Sequence, residues 1–215
     1  MRKIKKFLNC KIDLSKKVFE PEIETEFWVK KALKEILIEQ LANCSINKLS
    51  VLDIFAGSGC IGIAVLKNIK NARMDFADIS KEAIKQTKIN IKLNRIPKDR
   101  YEIYKSNLFE KLGNNKYDIV FANPPYVALG RISEVQKEVL QKNPRAALFG
   151  GKDGMLWIEK FSKEAKKHLN KNGVIYMEFD PLQKEKIRQI LKKEKFKFQF
   201  RKDQFKKYRW LKASN

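Results

Sequence analysis

Val51-Leu-Asp53-Ile-Phe55-Ala-Gly57-Ser-Gly59-Cys-Ile-Gly62 reads as a short apolar strand, a glycine turn and the opening of a helix. Glycine lets the backbone turn tightly and lets a ligand approach with no Cβ in the way. The spacing Gly57-x-Gly59-x-x-Gly62 fits the glycine fingerprint of nucleotide-binding folds, which is a weak signal by itself. Asp53 adds to it, because a carboxylate inside the strand can orient the loop or meet a cationic amino group. Working outward, apolar strands are expected at 51–55, 74–78, 101–105, 117–122 and 174–179, with two more at 196–200 and 209–212. Helical spacing marks 24–42, 61–70, 81–93, 156–169 and 182–193. The opening residues 1–19 read as an irregular segment or a hairpin, and 127–143 as a loop. Alternating strands and helices predict an α/β fold, a doubly wound and mostly parallel sheet with helices on both faces. Ligands in such sheets bind outside the carboxyl ends of the strands, near the switch in strand order.

The residues at those ends are the informative ones. Asp78 closes the second strand, where a carboxylate can accept from both hydroxyls of a ribose. Ser80 is the better cap for the helix that follows. The fourth strand runs into Val120-Phe-Ala-Asn123-Pro124-Pro125-Tyr126. Two prolines directly after a buried strand stop the ladder and stiffen the loop. The Asn123 side-chain oxygen and the Pro124 carbonyl can both accept from one NH2 group, and Tyr126 offers a flat face to a planar amide or base. An amide or exocyclic amine nitrogen is a poor nucleophile because its lone pair is delocalised. Two fixed acceptors can aim it at a sulfonium methyl and take up the positive charge that develops. The bland alternative, a structural Pro-Pro turn with Asn as a cap, does not account for the glycine loop and acid beside it.

Composition narrows the class. At 215 residues the chain fits a single domain. No apolar run approaches the ~18 residues that cross a bilayer, and the basic start lacks an apolar signal core, so a cytoplasmic location is expected. Cys10, Cys44 and Cys60 are widely spaced and His168 is the only histidine, which supports neither a metal site nor Ser-His-Asp chemistry. The net charge of +22 is carried mostly by scattered lysines. That pattern reads as a solvated surface, although a weak attraction to nucleic acid or the ribosome follows from it. Trp28, Trp157 and Trp210 read as core or interface aromatics, and the run from Lys193 as a half-buried strand.

With these motifs in view, the chain resembles the HemK-like family of protein-(glutamine-N5) methyltransferases, over almost its whole length from about residue 18. Pro21-Glu-Ile-Glu-Thr25-Glu26 is similar to the family's Pro-x-x-x-Thr-Glu element, and Asn123-Pro-Pro-Tyr126 to its substrate-amide motif. Pro144-Arg-Ala-Ala-Leu148-Phe-Gly150-Gly151-Lys-Asp-Gly154, the segment 173–178 and the segment 203–209 follow its pattern too. The resemblance implies a Rossmann-like, seven-stranded fold that uses S-adenosyl-L-methionine. It implies cofactor contacts at Asp53, Phe55, Ala56, Gly57, Ser58, Gly59, Asp78, Ile79, Asn107, Leu108 and Asn123. It also implies Asn123, Pro124, Pro125 and Tyr126 around the substrate amide, with Phe19 and Phe27 near the entry. The implied substrate is the Gly-Gly-Gln loop of a peptide chain release factor, with a ribosomal protein as a related option and a monomer as the expected state. Asn107 stands where the family often has an acid, and Glu22 and Asn143 where it often has arginine and glutamate. By this resemblance, a counterpart of the helical domain that precedes the catalytic domain in many bacterial members is not expected within these residues. The expected organisation is an N-terminal extension over 1–45 packed on a methyltransferase domain over 46–215. An adenine-N6 methyltransferase acting on RNA or DNA would use the same asparagine-proline geometry on a flipped base. A nucleic-acid-binding module with a degenerate pocket is the reading from another class.

Overall fold

The computed structural model describes residues 3–42, 48–135 and 137–215. The hairpin β1 (Ile4–Phe7) and β2 (Cys10–Asp13) leads into α1 (Ile23–Ala42). Then follow β3 (Leu49–Ile54), α2 (Cys60–Asn68), β4 (Ala72–Asp78), α3 (Lys81–Leu93), β5 (Tyr101–Lys105) and β6 (Tyr117–Ala122). The second half holds the short helices α4 (Lys137–Lys142) and α5 (Arg145–Leu148), then α6 (Leu156–Ala165), β7 (Leu169–Glu178), α7 (Lys184–Lys193), β8 (Lys197–Lys202) and β9 (Tyr208–Ser214). Seven strands form one sheet in the order β5-β4-β3-β6-β7-β9-β8, with β9 antiparallel to both neighbours. Strand order reverses between β3 and β6, the place where a doubly wound sheet opens its crevice.

Both faces of the sheet are covered, so the central strands carry apolar residues on both faces rather than on one. Val51, Phe76, Ile119 and Phe121 join α1 and α2 in one core, and Leu52, Ile54, Val120 and Ala122 join α6 and α7 in the other. Helix α1 buries Thr25, Trp28, Val29, Ala32, Leu33 and Ile36, a stripe at steps of three and four residues. Trp28 stacks on Phe121 at 6.1 Å and on Trp210 at 6.2 Å, so two of the three tryptophans are core residues.

The hairpin is held by side-chain amides, a feature that hydropathy cannot show. Gln86 and Asn90 on one buried face of α3, and Asn94 at its C-cap, recur every fourth residue. Asn94 exchanges two bonds with the Lys11 backbone, 3.1 and 2.7 Å, and Asn90 two with Asp13, 2.7 and 3.0 Å. The Lys16 N–H donates to Gln86 at 2.7 Å. Asn90 also donates to the Ser58 carbonyl at 2.9 Å, which ties the hairpin to the glycine loop. Hairpin and helix share a core with the sheet, and the boundary expected after residue 45 lies outside the described residues, as does Cys44.

Two elements differ from expectation. The helix expected to 169 ends at Ala165 with a 3-10 turn over Lys166–His168, and β7 starts at Leu169 rather than 174. Its pairing with β6 jumps from Tyr117↔Leu169 to Ile119↔Val174, so residues 170–173 bulge out of the ladder. The loop expected at 127–143 contains a 3-10 stretch at Leu129–Glu134 and α4.

The third glycine of the fingerprint is a packing residue. A Cβ on Gly62 would lie 2.2 Å from Cε1 of the fully buried Phe76. Gly62→Ala is expected to push α2 off β4 and lower stability by about 1–3 kcal/mol. A thermal melt should then show a loss of roughly 2–4 °C for each kcal/mol.

Candidate active site

A cavity of about 320 Å³ opens at the carboxyl ends of β3, β4, β5 and β6. One half is built by the loop after β3 (Phe55, Ala56, Gly57, Ser58), by Asp78 and Ile79 after β4, and by Asn107 and Leu108 after β5. The other half is built by Asn123, Pro124, Pro125 and Tyr126 after β6. Val18, Phe19, Pro21, Glu22 and Thr25 cover it from the N-terminal side, facing Pro144, Leu148 and Trp157. A side-chain bond links the two lips: the Glu20 N–H donates to Asn143 Oδ1 at 2.8 Å.

In the first half, the Asp78 carboxylate accepts from the Gly57 N–H and the Ser80 N–H, both at 2.8 Å. It thereby sets the loop, while Ser80 caps α3 by accepting from the Ala83 N–H at 3.2 Å. Burial raises the Asp78 pKa against those two bonds. Asn107 donates to Glu110, and its Oδ1 is buried without a partner among the described residues. An open acceptor there and a carboxylate beside the glycine loop fit a nucleoside-bearing cofactor that brings an amino group and ribose hydroxyls.

Asp53 and Gly59 do not line this cavity. Asp53 sits behind the loop, accepting from the Gly62 N–H at 2.9 Å, so its carboxylate orients the start of α2. Gly59 is the N-cap of α2 at φ +77°, a left-handed position that glycine adopts without strain. Both support the cradle from beneath. Phe19 lines the cavity, whereas Phe27 packs against the core and does not.

In the second half a buried carboxylate organises the wall. Glu178, at the end of β7, is fully buried and accepts from Thr25 Oγ1 at 2.7 Å, Trp28 Nε1 at 2.5 Å and the Tyr126 hydroxyl at 2.9 Å. Burial raises its pKa, and those three donors work against the rise. The Tyr126 phenol is pushed well above its usual value by burial and by Glu178, so it stays protonated and leaves its ring as the functional surface. Asn123 donates from Nδ2 to Thr25 Oγ1 at 3.4 Å. Glu22 is raised to about 7 by burial and by the charges of Glu178 and Glu24.

The glycines of 150–154 find their reason here. The Val127 N–H donates to Leu148 O and the Gly150 N–H to Val127 O, each at 2.9 Å. Gln183 donates to Tyr126 O at 2.8 Å and Gly154 O at 3.0 Å. A Cβ on Gly150 would lie 2.4 Å from the Pro125 carbonyl oxygen, and one on Gly154 2.2 Å from that of Tyr126. The backbone of this segment clamps the Asn-Pro-Pro-Tyr loop too closely for side chains. Sequence reasoning missed Thr25 as part of the wall and Glu178 as the buried group behind it, while Trp157, read as a core or interface aromatic, packs against the second core and also lines the cavity. Glu178 carried a usable signal, an acid closing a buried strand like Asp78.

The methyltransferase small domain family matches residues 32–209. A bifunctional methyltransferase of Rickettsia typhi is 33% identical across 87% of this chain and 38% of its own length. A release factor glutamine methyltransferase of Flavobacterium psychrophilum is 35% identical across 82% of this chain. The chain spans 60% of that relative's length. Among solved structures, a methyltransferase from Pyrococcus furiosus superposes with a TM-score of 0.59 at 17% identity, covering 85% of this chain and 81% of that one. It shares the fold.

Burial lifts the Asp53 carboxyl to about 7, while its Oδ1 has no partner among the described residues. An acid raised in the folded state favours folding fully below its unfolded pKa of about 3.9 and loses that contribution as pH rises through its folded value. Asp53→Asn keeps an acceptor for Gly62 without the buried charge. Urea titrations at pH 5 and pH 8 should show the variant gaining stability relative to the parent at the higher pH.

Proposed function

We propose that this chain, which belongs to the methyltransferase small domain family, transfers a methyl group from S-adenosyl-L-methionine to the side-chain amide nitrogen of a glutamine in a protein. The acceptor that fits best is the Gly-Gly-Gln loop of a peptide chain release factor. One observation carries this reading. Asn123 and Pro124 lie in the wall of the same cavity as the glycine loop and Asp78, at the reversal of strand order. The release factor glutamine methyltransferase of Flavobacterium psychrophilum supports the acceptor, and the resemblance in the Asn-Pro-Pro-Tyr and 144–154 segments supports it further.

When bound, the cofactor supplies an electrophilic methyl on a sulfonium. Asp78, Asn107 and the backbone of 55–58 would hold it. The remaining work is positioning. Asn123 Oδ1 and the Pro124 carbonyl accept the two N–H bonds of the substrate amide, and the Tyr126 ring packs on its plane. Asn123 Oδ1 and the Pro124 carbonyl would take up the positive charge that develops on the acceptor nitrogen as it gains the methyl, until that nitrogen gives its excess proton to water. Pro124 and Pro125 hold these groups rigid, so little reorganisation is needed at the moment of transfer. Among the described residues no helix is long and apolar enough to cross a membrane. We take the acting species to be a monomer that works on a folded protein loop, with its basic surface giving at most a weak pull toward the ribosome.

Asn123→Ala should lower methyl transfer to release factor by more than about a hundredfold. Cofactor affinity, measured by calorimetry, should stay within about tenfold, because Asn123 acts mainly on the substrate nitrogen. Loss of cofactor binding in that variant contradicts the role assigned to Asn123.

A further inference from the structure

The amide-binding half of the cavity depends on an orientation that Asn123 cannot set for itself. A carboxamide has a donor end and an acceptor end of nearly the same shape, and a half-turn of the group exchanges them. Only the oxygen end can accept from a substrate NH2. The nitrogen end would face it donor to donor. The asparagine must therefore be held one way round before substrate arrives.

The hydrogen bonds around Thr25 settle which way. The Trp28 indole N–H can only donate, and it donates to Glu178 Oε2 at 2.5 Å. The Thr25 hydroxyl meets that same oxygen at 2.7 Å. A proton taken up by Glu178 would sit on Oε1, shared with the Tyr126 hydroxyl at 2.9 Å, and would leave Oε2 an acceptor. The one Thr25 hydroxyl hydrogen is thus committed to Glu178, and its oxygen has only lone pairs left to offer. Facing it at 3.4 Å is the Asn123 carboxamide, which must present Nδ2. Thr25 and Glu178 are each exposed by 1% or less, so both groups rely on protein partners.

We propose that Thr25, polarised by Glu178, is a positioning residue that locks the Asn123 carboxamide with its oxygen toward the substrate nitrogen. Helix α1 is then part of the transfer machinery, although Thr25 acts on the substrate only through Asn123. The same carboxylate fixes the Tyr126 ring through its other oxygen, so one buried group registers both faces that the substrate amide meets. The inference rests on the amide-nitrogen reading of the site.

Three variants and two readouts test it in the full chain. Thr25→Val keeps the shape and removes the acceptor, Thr25→Ser keeps the hydroxyl, and Thr25→Ala removes it should the second valine methyl prevent folding. With release factor as acceptor, Thr25→Val should lower kcat by about 10- to 100-fold with KM for the cofactor within about threefold, and Thr25→Ser should restore most of the loss. Added to Asn123→Ala, Thr25→Val should cost nothing more, because the group it orients is gone. A residue that merely supports the fold would add its loss in both backgrounds. The second readout needs no turnover: the side-chain NH2 resonances of 15N-labelled Asn123 should shift in Thr25→Val and stay in place in Thr25→Ser. An unchanged Asn123 signal in Thr25→Val, or an additive loss in the double variant, overturns the proposal. A parent enzyme that methylates no glutamine while the Asn123 signal still responds to Thr25 defeats the functional reading and leaves the positioning intact.

Discussion

Burying the Glu178 carboxylate is the constraint around which the site is organised. Removing a charge from water is costly unless hydrogen bonds replace its solvation. Here three donors do so, two from α1 and one from the loop after β6. The N-terminal helix, the end of β7 and the Asn-Pro-Pro-Tyr loop must therefore dock together or leave the charge uncompensated. That coupling explains why α1 is not a detachable appendage. It lends Thr25 to the cavity wall and Trp28 to the aromatic stack on Phe121 and Trp210.

The two halves of the cavity solve different problems with different materials. The half beside the glycine loop is mostly backbone, tuned by Asp78 from the front and Asp53 from behind, and it suits a ligand recognised by its hydroxyls and amino group. The half beside Asn123 is stiff, clamped by the backbone of 150–154 and by Gln183, and it suits a flat group that must be aimed. Neither half needs a strong base. Two of the raised acids around the site, Glu178 and Asp78, spend their oxygens on holding protein groups in place.

Much of this was legible before any coordinates. Asp78, Asn123 and the glycine turn announce themselves because strand ends in a parallel sheet are where polar residues have no reason to be unless they face a ligand. The seven strands were legible for a related reason, since two buried faces leave short apolar runs between turns. What stayed hidden was non-local. The amides of Gln86, Asn90 and Asn94 look like an ordinary polar face until the hairpin backbone is laid against them. The start of β7 at Leu169 was not legible because residues 170–173 bulge out of the ladder and break the apolar run. Asp53 reads as a residue that orients the loop or meets the ligand, and burial turns it toward Gly62 in the first of those roles, while Gly59, read as a ligand contact, caps α2. Glu178 reads as one more strand-end acid, and only the packing of α1 shows what its oxygens hold.

The most direct test of the account is the identity of the methylated atom. Labelled S-adenosyl-L-methionine should be offered with release factor, ribosomal protein, RNA and DNA in parallel, and the label mapped. Label on the glutamine of a Gly-Gly-Gln loop is the predicted result. Label on nucleic acid alone would contradict it and make the +22 charge part of the mechanism.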